Sequence, residues 1–364
     1  MTNTKWLSAL LAGTALTVAS TAAMADTSLV TMTRNAAGEG VTFSVAPTAD
    51  MPASATEITV GGRVRAEVYN ENYENSGHGG SFYDGTGIRA DWALYVSGKT
   101  DTSVGQVRAF VNMYGYGGGS TSTANISSIT AAGEWDFAPG LTLIGGRTTT
   151  LDGGTMGYGA DIGTWLGRFG TAGTGDHSND VVGVRYASGP MTATIGMSNG
   201  ETAYDGEDYD VTGQVTLDMG VGSIAASMIS GEDAGGAGRG YSASIGATVA
   251  AGEQLSFSGV YTMTDGRHDY YTMDSGLKTT YCDDEDEACS AISLGAAYKT
   301  GDFKFSAGYA IQSVDETDVS LNEARASVAW SATPKLSIVG QLVNRTSDDY
   351  DTDNIAGVGA WFKF

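Results

Sequence analysis

The last eight residues, Gly357 to Phe364, alternate apolar and polar positions and end on a carboxy-terminal Phe. The same period of two returns along nearly the whole chain from Glu57 onward. A period of two is that of a β-strand with two unlike faces. After the amino-terminal region no run of 18 apolar residues occurs, so the remainder holds no candidate spanning helix. Strands that are greasy on one face and polar on the other suit a cylinder with lipid outside and water inside.

Sixteen stretches carry the alternation. In Glu57–Tyr69, Ile58, Val60, Val64, Ala66 and Val68 share one face, and Thr59, Arg63, Arg65 and Glu67 share the other. Ile88, Ala90, Trp92, Leu94 and Val96 oppose Arg89, Asp91 and Tyr95. Leu255, Phe257, Gly259, Tyr261 and Met263 oppose Ser256, Ser258 and Thr262. Phe303, Phe305, Ala307, Tyr309 and Ile311 oppose Lys304, Ser306 and Gln312; Leu336, Ile338 and Leu342 oppose Ser337, Gln341 and Arg345. The other strands are expected at 104–114, 124–137, 140–148, 179–187, 190–198, 208–218, 221–230, 238–249, 290–299, 320–330 and 353–364.

The connections alternate in length. Ala138–Gly140, Ser188–Pro190, Met219–Gly222, Ala251–Glu253, Thr300–Gly301 and Thr333–Lys335 carry turn residues, whereas stretches such as Asn70–Gly87, Thr149–Ser178 and Thr264–Cys289 are long. Seven short turns and eight long loops leave both ends on the short-turn side. This is the asymmetry of a transmembrane barrel with tight periplasmic turns and longer external loops. A soluble β-sandwich also shows short alternating strands, but sixteen strands with small polar inner faces cannot pack a dry core. The expected fold is therefore an all-β, transmembrane antiparallel β-barrel of 16 strands.

Residues 1–25 read as an export signal. Lys5 gives a positive start, Leu7 to Ala19 is apolar but short of the roughly 20 residues a span needs, and Ala23-Met24-Ala25 fits a small-x-small cleavage site. The mature chain would begin at Asp26. Residues 26–56 form an extension of unassigned role, in which Val41–Val45 could add one strand; it suits a periplasmic extension, a segment in the lumen or a disordered arm equally. The barrel occupies 57–364. The formal net charge is −23, with acids concentrated in Gly-rich gaps. That excludes nucleic-acid binding and attachment to anionic lipid through a basic patch. Fifty-three glycines against five prolines suit twisted strands, bulges and loops. Cys282 and Cys289 bracket six residues of one acidic loop, and in an exported chain such a pair reads as a disulfide. Asp283–Glu287 is dense in hard oxygen ligands for Ca2+, yet it lacks the spacing of a calcium loop and reads more plainly as a solvated charge run. No other metal or cofactor is implied.

A channel needs a constriction. The longest connection, Thr149–Ser178, carries Asp152, Asp161 and Asp176 with the apolar anchors Met156, Trp165 and Phe169, which suits a loop folded into the lumen; an outward flap is the alternative. Arg63, Arg65, Arg89 and Arg108 share the inward parity and would face Asp152 and Asp161, setting a field across the channel. Arg185, Arg325 and Arg345 share that parity. The plainer reading is that about half of these arginines pair locally with Glu67, Asp91 and Glu323. His78, His177 and His268 all fall in loops and lie far apart, so catalysis finds little support.

From Glu57 to Phe364 the chain resembles the general porins of Gram-negative bacteria, most nearly the alphaproteobacterial porin family. The likeness rests on Ile58–Arg65, on Leu141–Arg147 running into the long third loop, on Asp180–Tyr186 and on the terminal Trp361–Phe364. It implies an outer-membrane homotrimer, an inward-folded third loop and passive diffusion of small hydrophilic solutes. It also implies contact with outer-membrane lipid and lipopolysaccharide, and a Phe364 read by the barrel-assembly machinery. The extension over 26–56 departs from the family pattern. Two rival functions are a substrate-specific outer-membrane channel and a structural or adhesive barrel without transport.

Overall fold

The computed structural model describes residues 30–34, 40–45, 56–73, 85–117, 125–149, 178–199, 209–232, 239–265, 288–314, 320–347 and 353–364. Among these residues there are eighteen strands and no helix. Two short ones come first, β1 (Val30–Arg34) and β2 (Val41–Val45). Then follow β3 (Thr56–Tyr73), β4 (Gly85–Thr102), β5 (Gly105–Gly117), β6 (Asn125–Ala138), β7 (Leu141–Thr149) and β8 (Ser178–Ser188). The next are β9 (Met191–Asn199), β10 (Tyr209–Asp218), β11 (Gly222–Glu232), β12 (Arg239–Ala251) and β13 (Leu255–Asp265). The last are β14 (Ala288–Thr300), β15 (Phe303–Val314), β16 (Ser320–Thr333), β17 (Leu336–Ser347) and β18 (Asp353–Lys363).

From β3 to β18 each strand pairs antiparallel with the next, and β18 pairs with β3, so sixteen strands close on themselves. Closure gives each strand of the ring a hydrogen-bonded neighbour on both sides and removes the edges that an open sheet would expose. One end of the ring is drawn by seven tight turns: 103–104, 139–140, 189–190, 219–221, 252–254, 301–302 and 334–335. Gly140 shows why sequence marks such turns. Its φ is 74°, and a Cβ there would lie 2.5 Å from the Ala187 carbonyl oxygen.

Polarity is reversed relative to a soluble sheet. Ile88, Ile195, Val221, Leu294, Leu342 and Val358 face outward and are more than half exposed, with Ile88 at 73%. A belt of exposed large apolar residues running along strand after strand has only lipid as its matching medium. Aromatic side chains cluster at the short-turn end on the outside of β6 and of β15–β16: Trp135 and Phe137 lie 5.8 Å apart, and Phe303 stacks between Phe305 and Trp330 at 6.3 Å from each. Amphipathic rings at one level are what a membrane–water boundary selects.

Two details differ from the sequence reading, and a third is the strand that Val41–Val45 could add. First, β4 runs on to Thr102, beyond the expected end at Val96, and β5 begins at Gly105. The outward positions of that overhang are Gly98, Thr100 and Thr102, and alternation of hydropathy stops where lipid stops. Second, the inner face is not uniformly polar or wet. Ile144 packs on Val181, and Val343 on Ile355 beside Tyr69, all at inward positions. Val41–Val45 is a strand; it pairs with β1 on one side and with Thr56–Val60 of β3 on the other.

Candidate functional site: the charged inner wall

The inward parity of β3 to β8 carries the charges, and register decides their partners. Arg65 stands directly opposite Asp91. Its Nε donates to both carboxylate oxygens at 2.8 Å, and Nη2 lies 2.6 Å from Oδ2. Arg63 Nε comes within 4.0 Å of the same carboxylate. Arg65 also lies over the Trp361 ring, 5.4 Å from its centroid, a cation–π contact that ties β3 to the last strand.

A second cluster spans four strands. Arg108 on β5 faces Glu134 on β6, with Nε 3.2 Å from Oε2, and its Nη2 donates to Asp136 Oδ1 at 2.8 Å. Thr142 on β7 donates to the same Asp136 oxygen at 2.5 Å. Arg185 on β8 completes the row, its Nη2 donating to Glu134 Oε1 at 2.9 Å. Glu134 thus bridges two guanidinium groups. These side chains remain accessible to water, Arg108 at 37% and Arg185 at 32%. A cavity of about 950 Å³ opens beside them at the short-turn end, lined by Gln106, Arg108, Asp136, Thr142 and Arg185.

The third cluster is different in kind. Glu323 on β16 accepts from Arg325 and, at 2.8 Å, from Arg345 Nε on β17, and all three are sealed from solvent. Around it the inner faces of β10 to β15 are buried too, with Asp210, Thr212, Ser242, Thr262, Ser293 and Gln312 at 1% exposure or less. Hydroxyls bond across the strands there, Ser227 to Ser244 at 2.8 Å for one. Water reaches Arg63, Arg108, Asp136 and Arg185 on the wall of β3–β8 and is shut out from much of the opposite side.

Arg63, Arg65, Arg325 and Arg345 pair with Asp91 or Glu323, about the half expected, and Arg108 and Arg185 have acidic partners as well, in Glu134 and Asp136. The wall is a ladder of alternating charge, not a patch of one sign. Unpaired guanidinium groups side by side repel, whereas a cross-strand acid sits within hydrogen-bond reach. Glu134 and Asp136 were missed as partners. Their signal was present, because Ala131, Gly133, Trp135 and Phe137 define the outward parity of β6 and leave 134 and 136 inward. Arg89 stands opposite Glu67 in the register. Asp152, Asp161, Cys282, the Asp283–Glu287 run, the three histidines and residues 1–25 lie outside the described residues. Among the described residues no group of three potential metal ligands converges.

A closed antiparallel ring that is apolar outside and charged inside defines the transmembrane β-barrel. Its particular form is the sixteen-strand fold of the outer-membrane porins. The outer membrane channel DcaP of Acinetobacter baumannii superposes with a TM-score of 0.62 at 16% identity, over 85% of this chain and 97% of that one. A mutant of the Rh. blastica porin gives 0.57 at 15% identity, over 84% and 100%. A triple mutant of Rhodopseudomonas blastica porin gives 0.57 at 14% identity, also over 84% and 100%. No protein-family model and no curated protein sequence matches the chain.

Proposed function

We propose that this protein is a non-enzymatic, water-filled channel of a bacterial outer membrane, passing small hydrophilic solutes and ions by diffusion. The observation that carries this reading is the solvent-accessible charge ladder on the inner wall of a ring whose outer wall is apolar. Charges in alternation let ions and dipolar solutes exchange hydration for side-chain contacts, while an apolar solute must strip ordered water to pass. Arg63, Arg65, Arg89, Arg108 and Arg185 form the basic side of the constriction, with Asp91, Glu134 and Asp136 interleaved and Asp152 and Asp161 as opposing acids. Purified protein in planar bilayers should give stepwise conductance increments, and vesicles containing it should swell in small sugars but not in large ones. Absence of both would end the proposal.

The assembled form in this reading is a homotrimer embedded in outer-membrane lipid and lipopolysaccharide, with Phe364 read by the barrel-assembly machinery. An outward groove supports self-association: Gly340, Ala326 and Ala356 make a shallow floor between Phe305, Leu342 and Val358, and a neighbouring wall can approach closely there. Cross-linking in detergent should trap three copies. Cys289, fully buried at the start of β14, is joined to Cys282 in this reading, and thiol labelling without reductant should fail.

A further inference from the structure

Fifteen of the sixteen strand pairs in the ring are consecutive along the chain, and chain therefore joins them at one end or the other. The pairing of β18 with β3 is the exception, since it joins the last strand to the first, and nothing covalent prevents one from sliding along the other. A slip by one residue would turn every side chain of β18 to the wrong face.

At this seam β3 is longer than its partner. One edge of β3 is filled from Thr56 to Glu71 by β4. The other edge is shared. From Arg63 to Tyr73 it pairs with β18, and Gly62 exchanges two backbone hydrogen bonds with Phe364, at 3.0 and 3.2 Å. From Thr56 to Val60 the same edge pairs with β2. Because β2 and β18 are both antiparallel to β3, they lie end to end, and the start of β2 meets the carboxy terminus. Gly40 makes the junction possible. Its φ is 110°, and a Cβ there would lie 2.4 Å from the Val60 carbonyl oxygen. Gly62 serves the other side, since a Cβ on it would strike the Phe364 ring at 2.5 Å. β2 keeps the parity of the wall, with Thr42 hydrogen-bonded to Thr59 at 2.9 Å on the inward side and Phe43 opposite Ile58 on the outward side.

We infer that the amino-terminal β1–β2 hairpin is a register stop for the barrel seam: it fills the β3 edge below Phe364, so β18 cannot slide toward Thr56, and it keeps that edge from fraying. The hairpin takes no part in conduction in this role, and the cross-link and the opening temperature are read whether or not the barrel conducts.

The test is a cross-link. Thr42→Cys with Thr59→Cys in the full-length protein should form a disulfide, assayed by loss of thiol labelling against each single variant, with the wild type reporting the native cysteines. Closing that short loop should raise the temperature at which the barrel opens in SDS by about 5–10 °C, an increase lost on reduction, with unit conductance unchanged. Deleting residues 27–55 should lower the same temperature and broaden the distribution of unit conductances as slipped seams appear. Failure of the paired cysteines to link would remove the hairpin from β3 and overturn the inference. A linked barrel that opens at the wild-type temperature would overturn it too, as would a deletion variant that opens there with one sharp conductance.

Discussion

Glu134 holds Arg108 and Arg185 on one carboxylate, so Glu134→Gln removes a single negative charge from the water-accessible wall while keeping the side-chain shape. The net charge of the four-residue cluster Arg108, Glu134, Asp136 and Arg185 then rises from zero to +1. For a permeant ion about 5 Å away in water, one unit charge is worth ~0.8 kcal/mol, and screening with a Debye length of ~10 Å at 0.1 M salt roughly halves it. Anions gain that half and cations lose it, so the cation-to-anion permeability ratio should fall by about fourfold, equivalent to ~0.8 kcal/mol. The measurement is the reversal potential of the purified channel in a planar bilayer under a tenfold KCl gradient. Repeating it near 1 M salt supplies a control, because a Debye length of ~3 Å should abolish most of the shift. An unchanged reversal potential at low salt, with conductance intact, would mean that ions do not pass this wall and that the ladder is structural only.

Three further outcomes are expected. Glu323→Gln takes the buried carboxylate away from two guanidinium groups and should cost about 3 kcal/mol of barrel stability, read as a lower urea midpoint in vesicles, with little effect on selectivity. Gly105→Ala should cost ~1–3 kcal/mol or prevent refolding, since φ is 117° and the new methyl would meet the Asp136 carbonyl oxygen at 1.7 Å; refolding yield by gel shift checks it. Ile245→Arg, midway along β12 on the outer face, should cost about 2–4 kcal/mol of folding into lipid, whereas wild-type refolding efficiency in that variant would argue against a lipid-facing outer wall.

Much of the barrel is legible residue by residue. Leu255, Phe257, Tyr261 and Met263 against Ser256, Ser258 and Thr262 tell which face of β13 meets lipid, because solvent on each side of a one-layer wall acts on alternate side chains directly. The turn at Pro139–Gly140 is legible for a similar reason, since a positive φ admits few residues. Strand number and inward parity of the arginines follow from such local signals. What acts across strands does not. The pairing of Arg108 with Glu134 and Asp136 depends on a register shared by segments about 28 residues apart, and that of Arg185 with Glu134 on one about 51 apart. The sealing of Thr262 and Ser293 from water depends on what else occupies the cylinder, which a period of two does not report. The end-to-end meeting of Gly40 and Phe364 on β3 lies furthest from reach, because it joins the two extremes of the chain through backbone edges that carry no side-chain pattern. Alternation records the medium on either side of the wall; only closure of the ring decides which charges meet and where water is admitted.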